Sequence, residues 1–155
     1  MGNEMKIDYK SYHRNYHDEL KSMIQSLYLE DPECHEMTDE KIEQTIRFLD
    51  SHPDMGKIVL FFNSTILVGY SILIHSWSNE YGGMVCLLDE LFVNKEWRGN
   101  KIATGFIQFL INSDYNHSVV ILLEVMHSNT RALKLYKRLG FESTARNHLI
   151  FHNNN

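Results

Sequence analysis

Several signals that would point elsewhere are missing from this chain. Its 155 residues hold two cysteines, Cys34 and Cys86, too few for a disulfide framework and without metal or redox spacing. A reducing, cytoplasmic setting is therefore expected. No apolar run approaches the roughly 20 residues that span a bilayer. Met1 to Lys10 lacks the apolar core of a secretory signal, so no such signal and no membrane partner are expected. Neither G-x-x-x-x-G-K-[ST] nor G-x-G-x-x-G occurs, which sets aside P-loop and dinucleotide-binding readings. Surplus positive charge is absent too. The net charge of -5 argues against nucleic acid as a partner. Histidine is plentiful at nine, and His13/His17 and His148/His152 are each four apart. Neither pair sits in H-E-x-x-H and no cysteine cluster joins them, so no metal site is expected.

At 43% hydrophobic the chain can bury a real core, and its length predicts a single domain over residues 1–155. Charge is unevenly spread. Residues 18–54 carry 11 acidic side chains against Lys21, Lys41 and Arg47. Residues 95–138 carry Lys95, Arg98, Lys101, Arg131, Lys134, Lys137 and Arg138 against Glu96, Asp114 and Glu124. One region suits a cation and the other a polyanion, although ordinary solvated helix faces would look the same.

The apolar spacing predicts secondary structure in sequence. Ile7 to Tyr9 reads as a short strand. Leu20, Met23, Ile24, Leu27 and Tyr28 mark a helix over His17 to Leu29, ended by Asp31-Pro32. Thr38 caps a second helix with an inner face of Ile42, Thr45, Ile46 and Leu49. Lys57 to Phe62 and Ile66 to Ile74 form a hairpin around Asn63-Ser64-Thr65. A turn at Asn79 to Gly83 leads into a fourth strand, Met84 to Val93. Ile102, Phe106, Phe109 and Leu110 define a third helix. Val119 to Val125 reads as a strand of the kind buried on both faces. Asn129 to Leu139 is a last helix stopped by Gly140. Glu142 to Phe151 is expected to be a final strand, with a frayed Asn153-Asn154-Asn155 end. These elements predict an α/β fold, a mixed sheet with helices on both faces.

Two stretches carry chemistry. In the first, the strand ending at Val93 passes through Arg98-Gly99-Asn100-Lys101 into the helix that starts near Ile102. The first N–H groups of such a helix are unpaired and lie at its positive end, so an anion can sit there. Gly99 allows an unusual φ, and Arg98 and Lys101 add charge. By itself the stretch is equally a plain strand–helix loop with basic surface residues. In the second, Tyr136 lies seven residues after Asn129 and four after Ala132, on one helix face that Leu139 extends inward. That phenol is a buried acid or simply a core tyrosine.

Arg98-x-x-Lys101-x-Ala103 resembles the [QR]-x-x-G-x-[GA] pyrophosphate loop of the GNAT superfamily of acyl-CoA-dependent N-acetyltransferases. Asn129, Ala132, Leu135-Tyr136 and Leu139-Gly140-Phe141 resemble its second block, in the expected order and at the expected distance. The likeness covers residues 84–141 well, and residues 1–80 only in their pattern of elements. It implies a mostly antiparallel central sheet of six to seven strands, flanked by about four helices, with a splayed strand pair at the cofactor site. Lys101 departs from the family's usual glycine. If that position has positive φ, lysine costs about 1 kcal/mol or more; otherwise the loop keeps a helical φ there.

The resemblance implies acetyl-CoA as co-substrate and no metal. The diphosphate would sit on Arg98, Gly99, Asn100, Lys101, Ile102, Ala103 and Thr104. Leu91 and Val93 would align the pantetheine arm, with the Val93 N–H on the thioester carbonyl, Phe92 beside the acyl group and Asn129 touching the arm as well as capping its helix. Tyr136 would protonate the leaving thiolate. An alkyl ammonium has a pKa of roughly 10 and must lose a proton before it attacks. Asp89 and Glu90, acidic in an apolar strand, are the candidate bases or else salt-bridged surface residues. Alternation lets one of them point inward, and Glu90 shares the side of Phe92.

The expected reaction is acetyl transfer to a primary amine by direct attack in a ternary complex. The acceptor side would comprise the two N-terminal helices, their loop near Asp31 to Met37, and the hairpin around Trp77 to Tyr81. Its acidity suits a small cationic amine, polyamine-like or amino-sugar. Alternatives are a protein lysine or N-terminus as acceptor, a non-catalytic acyl-CoA sensor, or a structural domain that binds no nucleotide. Cys34 beside His35 is a nucleophile candidate without an orienting third group. A homodimer through exposed strands or the C-terminal segment fits such a sheet.

Overall fold

A computed structural model describes residues 5–31 and 33–153. Pro32 of the predicted helix stop, Met1 to Glu4, and Asn154 and Asn155 of the predicted frayed end lie outside the described residues. The chain forms two units, residues 1–124 and 125–155.

The first unit is built on a five-stranded sheet. Its strands are β1 (Asp8–Ser11), β2 (Gly56–Asn63), β3 (Ile66–Ser78), β4 (Gly83–Val93) and β5 (Val120–Leu123), in the spatial order β1-β2-β3-β4-β5. Neighbours from β1 to β4 are antiparallel, and β4 and β5 are parallel. Three helices belong to this unit: α1 (His17–Glu30), α2 (Asp39–Ser51) and α3 (Ile102–Asn112). Leu20, Met23 and Ile24 of α1 and Ile42, Ile46 and Leu49 of α2 pack with Ile58, Leu60, Phe62, Tyr70, Ile72 and Phe92 on one sheet face. On the other, Phe106 and Phe109 of α3 meet Tyr9, and Phe106 also meets Phe61. Alternate β2 residues thus serve opposite layers, as strand geometry requires.

Local signals explain the boundaries. The Thr38 hydroxyl accepts from the Lys41 N–H and caps α2. Ser64 takes φ 56° in the tight β2–β3 turn. Helix α1 runs one residue beyond the predicted end.

In the second unit α4 spans Thr130–Arg138. The Asn129 side chain accepts from the Ala132 N–H at 3.1 Å, which makes Asn129 its N-cap. Gly140 at φ 98° closes the helix: its N–H donates to the Lys137 carbonyl and that of Phe141 to the Tyr136 carbonyl. This is a Schellman closure, with Tyr136 and Phe141 in edge contact at 5.9 Å.

Two expectations are corrected. Glu142 to Phe151 forms no strand, so the sheet of the described residues has five strands rather than six or seven. Strand β5 is not buried on both faces: Val119, just before it, is 60% exposed and Leu122 is 36% exposed. Their hydrophobicity marked a strand correctly but overstated its cover. Among the described residues no helix is long and apolar enough to cross a membrane.

Candidate functional site

The site begins where β4 changes partners. Leu88 opposes Leu73 and Glu90 opposes Ile72, so Asp89 is an extra residue, a β-bulge. Pairing with β5 ends at the same place, at Leu88 opposite Leu123. Beyond it, Glu90 to Val93 pair with β3 alone. The Asn94 N–H donates to the Val68 carbonyl at 2.9 Å. Main-chain direction alternates along an antiparallel ladder, so the N–H and C=O groups of Val93 and Leu91 point to the open edge. The Val93 carbonyl is occupied there by Arg98 Nε at 2.8 Å, which leaves its N–H as the remaining main-chain group of that residue on this edge.

Glu90 and Phe92 face the core side together. Glu90 is only 8% exposed. An ionised carboxylate without partners at such a place would cost several kcal/mol. The Tyr70 hydroxyl donates to Glu90 Oε2 at 3.0 Å, and Tyr28 is a second hydrogen-bond partner. Burial raises the Glu90 carboxyl above its ordinary range; the two phenols oppose this, and the Asp89 charge adds to it. Both phenols are pushed up in turn by burial and by Glu90. Asp89 is exposed by surface area, yet partial desolvation and the charge of Glu124 raise its carboxyl too.

The loop after β4 forms the second part. One 3₁₀ turn covers Lys95–Trp97, Gly99 takes φ 83°, and Lys101 takes φ 60° in the left-handed region. The alternative of a helical φ at Lys101 is therefore set aside. Gly105 N–H to Lys101 C=O, at 2.8 Å, is the bond that opens α3. Among the described residues, the N–H groups of Gly99, Asn100, Lys101, Ile102, Ala103 and Thr104 meet no protein acceptor. Asn100 Nδ2 donates to the Trp97 carbonyl at 2.9 Å and steadies the turn. Ile102 is buried, which anchors the helix start to the core.

Arg98 is placed differently from a free phosphate-binding cation. Its N–H donates to the Lys95 carbonyl, and its guanidinium spans the Val93 carbonyl and the Glu30 carboxylate. It also lies over the Phe92 ring, 5.3 Å from the centroid.

The proposed acceptor regions separate. Tyr28, at the end of α1, and the loop that follows come close to Glu90, and Cys34 feels its charge. Trp77 to Tyr81 lie at the other end of the β3–β4 hairpin, five residues of strand from Ile72, or roughly 17 Å away. Trp77 is exposed there. The Cys34 thiol is pushed up by burial, by its hydrogen bond to Asp31 and by neighbouring carboxylates. A nucleophilic cysteine needs the opposite shift. Within the second unit, Tyr136 is half-buried and burial raises its phenol.

Elsewhere a cleft of about 440 Å³ is lined by Tyr12, His13, Arg14, His17, Glu43, Ile46, Arg47 and Asp50. His17 Nε2 lies 2.8 Å from the Glu43 carboxylate and its Nδ1 3.0 Å from the Tyr12 hydroxyl, both in hydrogen-bonding contact. Among the described residues no group of three or more His, Cys, Asp or Glu could hold a metal ion.

Three participants were not singled out from the sequence: Tyr28, Tyr70 and Glu30. Tyr28 and Tyr70 sit in apolar patterns that explain them as core residues. Glu30 is 68 residues from its partner Arg98, and no local spacing links them.

Beyond the Asp89 bulge β4 is paired on one side only, and the loop that follows carries N–H groups without protein acceptors, on an α/β domain with a mixed five-stranded sheet. Residues 20–141 match the model of the acetyltransferase (GNAT) family. The chain belongs to that family. Among solved structures, a possible acetyltransferase from Clostridium difficile 630 is 18% identical, with 96% of this chain and 99% of that one covered and a TM-score of 0.84. AAC(6')-Iy in complex with the bisubstrate analogue CoA-S-monomethyl-acetylneamine is 18% identical, covering 97% and 99%, with a TM-score of 0.74. An integron cassette protein from the mobile metagenome of Cole Harbour Salt Marsh is 24% identical, covering 93% and 89%, with a TM-score of 0.77. At these identities the likeness is one of fold. Among curated proteins none matches this chain.

Proposed function

We propose that this protein transfers an acetyl group from acetyl-CoA to the primary amine of a small cationic acceptor. The observation that carries this reading is the end of β4–β5 pairing next to the Asp89 bulge, with Glu90 buried at the same place. The N–H groups of residues 99–104 would hold the diphosphate, and Leu91, Val93 and Asn129 the pantetheine arm. The Val93 N–H would donate to the thioester oxygen as negative charge develops there, a contribution of several kcal/mol in comparable sites. Glu90 would take a proton from the acceptor ammonium, directly or through water, with Asp89 as the exposed alternative. The freed nitrogen attacks the carbonyl carbon, the C–N bond forms, and the C–S bond breaks. The thiolate leaves with a proton from Tyr136; Glu90 passes its first proton to solvent and then takes the second from the amide nitrogen, and solvent restores the Tyr136 proton, so one proton is released overall.

Asp31, Glu33, Glu36, Asp89 and Glu90 favour a cationic amine, polyamine-like or amino-sugar, over a neutral one. The acceptor loop and free thiols at Cys34 and Cys86 suit a reducing cytoplasm. The deciding experiment follows thiol release from acetyl-CoA with a panel of diamines, amino sugars, lysine peptides and free N-termini. Turnover with the small cationic amines supports the reading. Binding of CoA with no release for any acceptor replaces it with a sensor, and release with the peptides alone replaces the acceptor class. In the same assay, Tyr136→Phe should lower turnover about tenfold with CoA affinity unchanged.

A further inference from the structure

Arg98 was expected to add positive charge to the anion loop, but its side chain is committed elsewhere. Nε donates to the Val93 carbonyl at 2.8 Å. One terminal nitrogen reaches both Glu30 oxygens, at 3.0 and 2.9 Å. The guanidinium carbon lies over the ring of Phe92, 5.3 Å from its centroid. These three partners explain the cation without any ligand.

Each partner matters to the reaction proposed above. In an extended residue the N–H and C=O point to the same side, so Arg98 holds the edge that presents the Val93 N–H. It also satisfies the Val93 carbonyl on the edge that is unpaired beyond Leu88. Glu30 is the last residue of α1, a helix with no basic residue in its final turn. A carboxylate at that negative helix end is unfavourable unless a cation answers it. Arg98 does so, and it ties the base of the acceptor loop to the thioester edge.

We propose that Arg98, held by Glu30, is a positioning residue that orients the Val93 peptide for acetyl transfer, not a side-chain ligand of the diphosphate. This rests on the acetyltransferase reading, and the test separates the two. Turnover is measured with acetyl-CoA and with S-acetylpantetheine, which lacks the diphosphate, and CoA affinity is measured by calorimetry. Arg98→Ala should lower kcat by the same factor with both donors, about tenfold or more, since small misplacements near the reacting atoms are felt strongly. CoA affinity should stay within about twofold, because the loop N–H groups remain. Glu30→Ala should show a weaker loss of about two- to fivefold, as expected for a partly exposed ion pair. Glu30→Gln, which still accepts a hydrogen bond, should recover most of it.

A partly unfolded sample would also lower kcat equally with both donors, but it would lower the calorimetric stoichiometry by the same factor, whereas the positioning role leaves one CoA bound per chain. Weaker CoA binding by Arg98→Ala, with S-acetylpantetheine turnover untouched, overturns the proposal in favour of a phosphate contact. Full activity of Arg98→Ala with both donors overturns it as well. A wild type that turns over neither donor overturns the acetyl-transfer reading and takes the positioning role with it.

Discussion

The two halves of β4 differ in partners and in composition. Val85 to Leu88 are paired on both sides, and Val85, Cys86 and Leu88 are buried. Beyond them come two carboxylates, the bulged Asp89 and Glu90, and Glu90 to Val93 are paired on one side only. In the first half the main chain is satisfied by the sheet and side chains make core. In the second half the main chain is left available, and a buried acid is held by phenols. One strand thus anchors itself with one end and leaves a main-chain edge unpaired at the other. The bulge at Asp89 is the joint.

Proline tests this difference most sharply. The Val93 N–H faces away from β3, so Val93→Pro removes no ladder bond to it. The residue before a proline must be extended, and Phe92 already is. Far-UV circular dichroism should therefore stay native while kcat falls about 10³-fold, as for loss of an oxyanion donor. Retained turnover would mean that the thioester oxygen is polarised by another group. The mirror experiment lies in the closed half. Leu88 is 6% exposed, and Leu88→Ala should lower unfolding stability by about 3 kcal/mol through cavity formation. Denaturant melts should show it, and turnover below the transition should change little. A large kcat loss at unchanged stability would erase the division between the halves.

Glu90 comes next in size. Glu90→Gln keeps an acceptor for Tyr70 but cannot take a proton, so kcat should fall about 10²-fold and the rise of rate with pH should flatten. The same group has a stability signature. Its carboxyl is raised on folding, so the native state holds the proton more tightly than the unfolded chain. Its contribution is complete below the unfolded value of about 4.3 and is lost as pH climbs through the raised folded value. Glu90→Gln should remove that decline from stability measured against pH. A wild-type profile kept by the variant would place the titration on another group, Asp89 first.

Local features were legible from the sequence because local forces set them. The Thr38 cap, the tight turn at Ser64 and the Gly140 stop depend on a few neighbouring residues. The sheet order past β4 was not. Leu149, Ile150 and Phe151 are apolar enough to suggest a strand, but a strand exists only with a partner, and among the described residues they are exposed and unpaired. Within the site, Asp89 and Glu90 stood out as acids in an apolar run, yet the bulge is a property of register between two strands. The Arg98–Glu30 pair is set by tertiary packing alone. Lys101 was readable only as an anomaly, a large side chain where the resembled motif has glycine.

The smallest expected effect concerns that lysine, just beyond the open half. At φ 60° a Cβ costs about 1 kcal/mol or more. Lys101→Gly relieves this but gives the unfolded chain more freedom, which takes back about 0.5–1 kcal/mol. The net gain should be a few tenths of a kcal/mol or somewhat more, a Tm rise of about 1–2 °C. Lys101→Ala separates backbone from side chain, because alanine keeps the Cβ and the strain while losing the ammonium. If Ala stabilises as much as Gly, strain is not the cause. If both weaken CoA binding equally, the ammonium reaches the diphosphate. If neither does, the six bare N–H groups hold the anion unaided, and the open half of β4 needs from this loop only its backbone.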